Sequence, residues 1–380
     1  MVTLSPEQQA LQRSAEEFAR GALGHELIRR DRDELFDREG WRRCAEFGVL
    51  RMSVPEQHGG LGLGLTDLIA VMEGFGYGTS DHGLLFAIHA HMWTTVMPIL
   101  AYGSPEQQAR YLPKLVSGEW IGANAASEPE AGSDVFALRT LARKEGDEYV
   151  LDGTKMFVSN ALQADLFVLY ATVDRALGPT GITAFIVEAG TPGLAISRPI
   201  HKMGLRTSSM AEVVVEGCRV PASARLGREG RGARVFDSSM EWERDCILAG
   251  HLGAMRRHLE QCLTHARQRR QFGQSIGKFQ SVANRIVDMR IRLDTCRPLV
   301  YRIGQLKDAG QSARVEAAIA KLHVSECFVA STLDAMRVFG SYGYMTEHEL
   351  ERELRDAVGG VFYSGTSDIQ RNLIARGLGL

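Results

Sequence analysis

The chain has 380 residues, of which 24% are charged and 44% are hydrophobic, as in ordinary soluble globular proteins. Its 44 basic and 46 acidic residues give a net charge of −2, which provides no electrostatic case for binding nucleic acid or an anionic membrane. The length allows two or three domains and a large core.

The cysteines and the N-terminus favour a reduced, cytoplasmic protein. None of the six cysteines forms a C-x-x-C pair, so the sequence predicts neither a disulfide framework nor a zinc ribbon. The first residues, MVTLSPEQQALQ, lack the charged-then-apolar pattern of a signal peptide. We expect no membrane span, because no apolar run approaches the roughly 20 residues that a bilayer requires.

Residues 1–120 have the pattern of a helical domain. Ser5 precedes Pro6, and Ser104 precedes Pro105, so each pair predicts a helix start with an N-cap followed by proline. Apolar periodicity predicts further helices at 41–50, 67–75 and 84–102. The helix that starts at Pro105 is expected to end near Pro113.

Residues 121–228 change to short apolar runs separated by turn signals. The runs predict strands at 149–151, 155–158, 166–173, 183–187, 194–197 and 212–215. Asp152-Gly153 is a strong hairpin-turn pair and is expected to join the first two. Many short strands at this spacing predict a β-barrel or sandwich domain.

Residues 229–380 return to long helical periodicity, at 235–272, 279–306, 313–339 and 347–357. Long helices with short links predict a four-helix bundle. The fold class is therefore α+β, with an N-terminal α-helical domain, a middle β domain and a C-terminal bundle. No G-x-G-x-x-G follows a strand and no P-loop is present, which disfavours a Rossmann dehydrogenase.

Glu243 stands out because it is a carboxylate on an otherwise apolar helix face. Small or apolar residues recur with it at steps of three and four, namely Phe236, Met240, Ile247, Gly250 and Ala254. A carboxylate removed from water has a raised pKa, which suits a general base near neutral pH. The alternative is that Glu243 only pairs with an arginine and holds helices together.

One stretch of the predicted long helix has the spacing of metal ligands. His258, Cys262 and His265 follow one another at i, i+4 and i+7, a helical spacing that zinc ligands can use. No fourth ligand lies nearby in the sequence, so an ordinary polar helix face is the expected explanation and no metal is predicted.

Three segments carry a family resemblance. They are NAASEPEAGSD at 124–134, RQRRQFG at 267–273 and YSGTSDIQR at 363–371. In this order, and with helix–strand–helix organisation over essentially the whole chain, they resemble the acyl-CoA dehydrogenase family. The resemblance implies FAD as cofactor, held between the middle domain and the bundle.

The resemblance also implies roles for individual residues. FAD contacts are implied for Ala126, Ser127, Phe157, Val158, Ser159, Gln280, Arg337, Gly340, Ser341, Thr366 and Asp368. Contacts with the FAD of a neighbouring subunit are implied for Arg269, Gln271 and Phe272. Substrate contacts are implied for Ser133, Arg244, Ser364 and Gly365. Arg337 and Asp368 depart from the family pattern, which often has glutamine at both positions.

Ser364 is a more consequential departure, because many family members carry the catalytic glutamate there. Some members place the base on the first helix of the bundle, in a segment similar to Met240-Glu241-Trp242-Glu243-Arg244, although glutamate also occurs there in members that keep the other one. The resemblance then implies that Glu243 removes the α-proton of an acyl thioester while the β-hydrogen leaves as hydride to flavin N5. Glu241 is the competitor, but it lies off the apolar stripe.

The expected substrate is an acyl or aminoacyl group, for example prolyl, tethered to a carrier protein or to CoA in secondary metabolism. The resemblance further implies an electron-transfer flavoprotein or oxygen as electron acceptor, and a homo-oligomer, dimeric or tetrameric. Two alternatives remain at this point. One is a flavin-dependent monooxygenase on the same fold, and the other is a redox-inactive family member.

Overall fold

The computed structural model describes residues 3–380, and its first third is helical. The helices are α1 (Pro6–Ala22), α2 (Leu27–Asp33), α3 (Arg38–Phe47), α4 (Leu65–Gly78), α5 (His82–His91), α6 (Met97–Tyr102) and α7 (Pro105–Val116). Ser5 and Ser104 cap helices that begin with proline, as predicted, and each also forms a capping box. The expected end of α7 near Pro113 is wrong: the helix runs on to Val116, since buried Leu112 and Leu115 hold it in the core.

The expectation that no apolar run approaches the length of a membrane span is wrong for the segment His82–Tyr102. Its 21 residues are long and apolar enough to cross a membrane, and a five-residue π-helical turn, Met92–Val96, joins α5 to α6 within it. However, 89% of its most apolar window is buried inside the protein. Such burial is typical of the central helix of a globular core.

The middle of the chain forms one eight-stranded sheet. The strands are β1 (Gly122–Ala125), β2 (Leu141–Glu145), β3 (Glu148–Ser159), β4 (Leu166–Thr172), β5 (Ile182–Glu188), β6 (Leu194–Pro199), β7 (Met210–Pro221) and β8 (Arg225–Leu226). Their order is β6-β7-β3-β2-β4-β5-β8, and β1 pairs with β4 in parallel. Even-numbered residues of β4 pack toward the helices and odd-numbered ones into the sheet's own core, as the two-residue period requires.

The predicted turn at Asp152-Gly153 is wrong. Strand β3 passes through both residues, and the pairing with β7 shifts register there in a bulge. Gly153 is needed because a Cβ would lie 2.4 Å from the Thr140 hydroxyl. The hairpin turn instead lies at Gly146-Asp147, between β2 and β3, where Gly146 has a φ of +62°.

The last third is again helical, with α8 (Gly232–Cys246), α9 (Ala249–Gln268), α10 (Gln280–Asp308), α11 (Arg314–Phe339), α12 (Leu350–Gly359) and α13 (Ser367–Gly377). A small hairpin of β9 (Arg270–Gln271) and β10 (Gln274–Ser275) links α9 to α10. The predicted long helix at 235–272 is thus two helices, interrupted at Ile247-Leu248. Residues of the first and last thirds share one hydrophobic core.

The sheet is fixed to the helices by buried polar contacts. The Asn160 side-chain amide donates to the Ala87 carbonyl at 2.9 Å, and the Gly122 amide donates to Nδ1 of His91 at 2.9 Å. Inside the sheet, the buried Lys155 ammonium pairs with Glu128 at 2.8 Å, and Glu128 also accepts from the Arg139 and Thr140 amides. These bonds hold the loop that follows β1 against β3.

Glu128→Ala should lower the free energy of unfolding by about 3–5 kcal/mol, because it leaves the buried Lys155 ammonium unpaired. Chemical denaturation followed by circular dichroism measures the change. The double variant Glu128→Ala/Lys155→Met should recover part of the loss, since no charge then remains buried. A loss below about 1 kcal/mol for Glu128→Ala would show that this pair does not hold the loop.

Candidate active site

Glu243 lies on the inner face of α8 and is only 6% exposed. Burial raises the pKa of Glu243 to about 7, against the opposing charges of Arg244 and Lys321 and the nearby Ser364 hydroxyl. No ion pair of residues 3–380 includes Glu243 within 4 Å, so the alternative of a structural arginine pair is not supported. The carboxyl is therefore half ionised near neutral pH, as a general base requires.

Two other carboxylates of α8 face away from Glu243. Glu241 and Asp245 are four residues apart and share a face that meets Lys307 of α10, whereas Glu243 lies two residues from each. Burial acts to raise the pKa of Glu241, but ion pairs with Lys307 and Arg314 outweigh it and lower the pKa. Burial raises the pKa of Asp245 to about 7 as well, yet its partner is Lys307.

The surroundings of Glu243 are closed by the turn before α13 and by the inner face of α11. Ser364 has a left-handed backbone with φ of +56°, and the Gln370 amide fixes the turn by donating to the Ser364 and Gly365 carbonyls. The Ser364 hydroxyl is buried and meets hydrogen-bond geometry with no group among residues 3–380, although it is close enough to Glu243 to lower its pKa. This hydroxyl is free to bond a substrate or water.

Lys321 of α11 is the charged neighbour that sequence reasoning missed. Its ammonium is fully buried, has no hydrogen-bond partner among the described residues, and lies 6.0 Å from the centre of the Tyr363 ring. Burial lowers the pKa of Lys321 to about 8, against the attraction of Glu243. A lysine charge in this position stabilises the ionised form of Glu243.

Aromatic rings surround the same position. Tyr363 precedes Ser364, packs on Phe86 with ring centres 4.9 Å apart, and shares a 3.0 Å hydrogen bond with Nε2 of His251. Burial lowers the pKa of His251 well below its ordinary value, so the imidazole is neutral and can accept from the tyrosine hydroxyl. Sequence reasoning singled out none of these three rings.

Aromatic contacts hold helix α8 against both the N-terminal helices and the middle domain. Trp242 stacks on Trp93 of the π-helical turn with ring centres 5.9 Å apart. Phe236 meets Tyr170 of β4 at 5.6 Å and Phe136 at 6.0 Å, both edge-on. Because Phe136 follows the loop that carries Ser133, this contact brings the predicted substrate loop onto the helix that carries Glu243.

The end of β1 and the end of β3 form a wall that fits a flat aromatic cofactor. The Met156 amide donates to the Ser127 carbonyl at 2.9 Å, which brings Ser127 beside Phe157. Phe157 has a φ of +58° and is 58% exposed, an unusual state for a large apolar ring. Asn124 keeps a buried side-chain oxygen without a partner among the described residues. An exposed aromatic ring at the end of β3 suits contact with the flat face of an isoalloxazine.

The other predicted cofactor residues fall into distinct environments. Ala126 and Val158 have side chains in the hydrophobic core, so only their backbone atoms can reach a ligand, and Ser159 is half-buried. Thr366 caps α13 by accepting from the Ile369 amide, which is a structural use of its hydroxyl. The remaining predicted residues are exposed: Arg269, Gln271, Phe272, Gln280, Arg337, Gly340, Ser341 and Asp368.

The predicted substrate residues differ in burial. Ser133 is exposed and Gly365 is half-buried with a φ of +87°. Burial lowers the pKa of Arg244, but the facing carboxylates of Glu243 and Asp245 oppose that shift. Of the residues with metal-ligand spacing on α9, His258 shares a hydrogen bond with Glu353 at 2.8 Å, and His265 stacks on Phe339.

Comparison with known protein families decides the classification. The N-terminal, middle and C-terminal domains of acyl-CoA dehydrogenase match residues 5–119, 123–218 and 230–379. The chain belongs to the acyl-CoA dehydrogenase family. The resemblance and the α+β fold class expected from the sequence are confirmed.

Relatives within the family are similar over the whole chain. An L-prolyl-[peptidyl-carrier protein] dehydrogenase of Pseudomonas fluorescens is 44% identical over 96% of this chain and 95% of its own length. The crystal structure of the prolyl acyl carrier protein oxidase AnaB superimposes with a TM-score of 0.98 at 47% identity, covering 100% of both chains. The structure of PigA with FAD and proline has a TM-score of 0.97 at 39% identity, covering 100% and 99%.

Lys321→Met should move the acidic limb of the pH–rate profile to higher pH by roughly half a unit or more, because it removes a charge that favours ionised Glu243. The measurement is the pH dependence of kcat/KM. Lys307→Met is the matched control, since Lys307 faces Glu241 and Asp245. An unmoved limb in Lys321→Met, or an equal shift in the control, would contradict the assigned coupling.

Proposed function

We propose that this protein is an FAD-dependent dehydrogenase that introduces a Cα–Cβ double bond into a prolyl group held as a thioester on a carrier protein. The observation that carries the proposal is the Glu243 carboxyl, buried on α8 with a pKa raised to about 7, beside a serine at the position where many relatives have their base. Cytoplasmic location is part of the proposal and fits the six free thiols.

The proposed substrate rests on two lines of support. Two relatives that are 44% and 40% identical over nearly the whole chain are both L-prolyl-[peptidyl-carrier protein] dehydrogenases. Near Glu243, the packed rings of Phe86, Tyr363 and Trp242 offer aromatic surfaces suited to a small, compact acyl group.

The proposed chemistry assigns a separate task to each neighbouring group. The thioester carbonyl acidifies the α-proton, and Glu243 accepts that proton. Once protonated, the carboxyl is neutral, which its buried position favours, while Lys321 and Arg244 keep enough of it ionised beforehand. FAD, when bound, supplies the acceptor for the β-hydrogen as hydride.

The residues proposed to hold FAD lie on two surfaces. Ser127, Phe157 and Ser159 form the wall on the middle domain, and Thr366 lies at the start of α13. The β9–β10 hairpin carries Phe272, which is 92% exposed with a φ of +48°. We assign this hairpin to the cofactor site of a neighbouring copy in a homo-oligomer, because a large ring so exposed marks an interaction surface.

Glu243→Gln should keep FAD bound but slow the anaerobic bleaching of the flavin by a prolyl-carrier-protein thioester by at least about a hundredfold, since an amide accepts no proton. Stopped-flow absorbance measures the rate. Glu241→Gln is the matched control on the same helix and should retain most activity. The base lies elsewhere if Glu243→Gln bleaches at a rate close to that of the wild type.

The same assay, repeated with a panel of thioesters, tests which substrate the enzyme prefers. Prolyl-carrier protein should bleach the flavin faster than prolyl-CoA or a straight-chain acyl-CoA. Reoxidation by oxygen alone, compared with an added electron-transfer flavoprotein, identifies the electron acceptor. Oxygen incorporation into the product would instead indicate a monooxygenase, and a yellow protein that no thioester bleaches would contradict dehydrogenation.

Phe272→Ser should weaken subunit association and lower the FAD content after gel filtration, because it removes the exposed ring of the hairpin. Light scattering coupled to size-exclusion chromatography gives the mass, and absorbance gives the flavin ratio. Leu177→Ser is a suitable control, as Leu177 is also an exposed apolar residue, 52% accessible, on a surface turn. Unchanged mass and flavin ratio would remove the hairpin from the interface.

A further inference from the structure

A group of metal-binding side chains lies between α10 and α11, away from the site described above. The thiols of Cys296 and Cys327 and the imidazole of His323 have one ligand atom each within 4.8 Å of the others. Cys296 belongs to α10, and the other two residues belong to α11. The sequence did not signal this group, since Cys296 and His323 are 27 positions apart in the chain.

The spacing of these atoms fits a tetrahedral metal. His323 and Cys327 are four residues apart on one helix, so their side chains point the same way. The Cys327 sulfur lies 3.6 Å from Nε2 of His323. Bond lengths of about 2.3 Å to sulfur and about 2.0–2.1 Å to nitrogen, at a tetrahedral angle, place these two atoms about 3.6 Å apart. The distance between these two atoms therefore matches the one that a tetrahedral zinc ion requires.

The environment also favours a cation with two thiolate ligands. Cys296 and Cys327 are buried while His323 is exposed, so the group opens to solvent on one side and leaves room for a fourth ligand. The guanidinium of Arg292 lies close enough for its charge to act on both thiols, and it pairs with Asp334 at 2.8 Å. The Asp334 carboxylate partly offsets the repulsion that this positive charge exerts on a metal ion.

The group is separate from the catalytic face of the same helix. Lys321, which faces Glu243, lies two residues before His323, and side chains two apart on a helix point to different sides. Loss of the metal ligands should therefore leave the chemistry at Glu243 largely unchanged. The inference does not depend on which thioester the enzyme uses.

We propose that Cys296, His323 and Cys327 form a binding site for a soft divalent cation, with Zn²⁺ as the test ion, which links α10 to α11. Two thiolates and one imidazole are the donor set that selects zinc over harder cations. Water completes the coordination from the exposed side. The linkage stabilises the bundle in the way that a structural metal joins two elements.

Equilibrium dialysis of the flavin-loaded enzyme against Zn²⁺, under reducing conditions, tests the site. Metal analysis should find one zinc per chain in the wild type. His323→Ala, Cys296→Ala and Cys327→Ala should each bind zinc roughly tenfold or more weakly while keeping their flavin and turnover. His323 is exposed, so its variant tests the site even where a cysteine variant folds poorly.

Cys262→Ala is the matched control, because Cys262 is a buried thiol of the neighbouring helix and part of the rejected His258-Cys262-His265 set. It should bind zinc as the wild type does. Replacement of zinc by Co²⁺ should give the visible absorption of tetrahedral sulfur-ligated cobalt, which disappears in His323→Ala. Zinc binding that survives in all three ligand variants, or that is absent from the wild type, would overturn the proposal.

Discussion

Withdrawal of one carboxyl group from water is the constraint on which the site depends. The shift of the Glu243 pKa from 4.5 to about 7 corresponds to a cost of about 3 kcal/mol when the group is ionised. The pKa of Glu243 is higher in the folded state than in the unfolded state. Its contribution to the free energy of unfolding is therefore fully present below about pH 4.5. It is lost as the pH rises through 7. The protein therefore gives up stability at its working pH to keep a base ready.

The packing of α8 determines which charged groups its carboxylates face. The Trp242–Trp93 stack and the contacts of Phe236 with the sheet fix the rotation of the helix. That rotation sends Glu241 and Asp245 toward Lys307 and leaves Glu243 without a close ion-pair partner among residues 3–380. One helix thus holds carboxylates in contrasting environments, which is how a protein assigns different protonation states to the same chemical group.

Periodicity in the sequence predicted the helical regions and the apolar stripe around Glu243, since both follow from local geometry. Lys321 satisfies the same criterion, because Ala317, Val324 and Phe328 surround it at helical steps on a buried face, and it could have been found that way. The prediction of a turn at Asp152-Gly153 failed because the pairing of β3 with β7 overrides the local turn preference of these two residues. Packing of separate helices brings Tyr363 onto His251, and it brings Cys296 onto His323 and Cys327 at a different place. Sequence spacing reveals neither contact.

Exchange of the substrate α-proton tests the role of Glu243 most directly, because it is independent of hydride transfer. The enzyme with chemically reduced flavin is incubated with prolyl-carrier protein in D₂O, and mass spectrometry follows deuterium uptake at Cα. Uptake should rise with pH through an ionisation near 7 and be absent in Glu243→Gln. Uptake in that variant at the wild-type rate, or a rate that does not change between pH 5 and 9, would contradict the account.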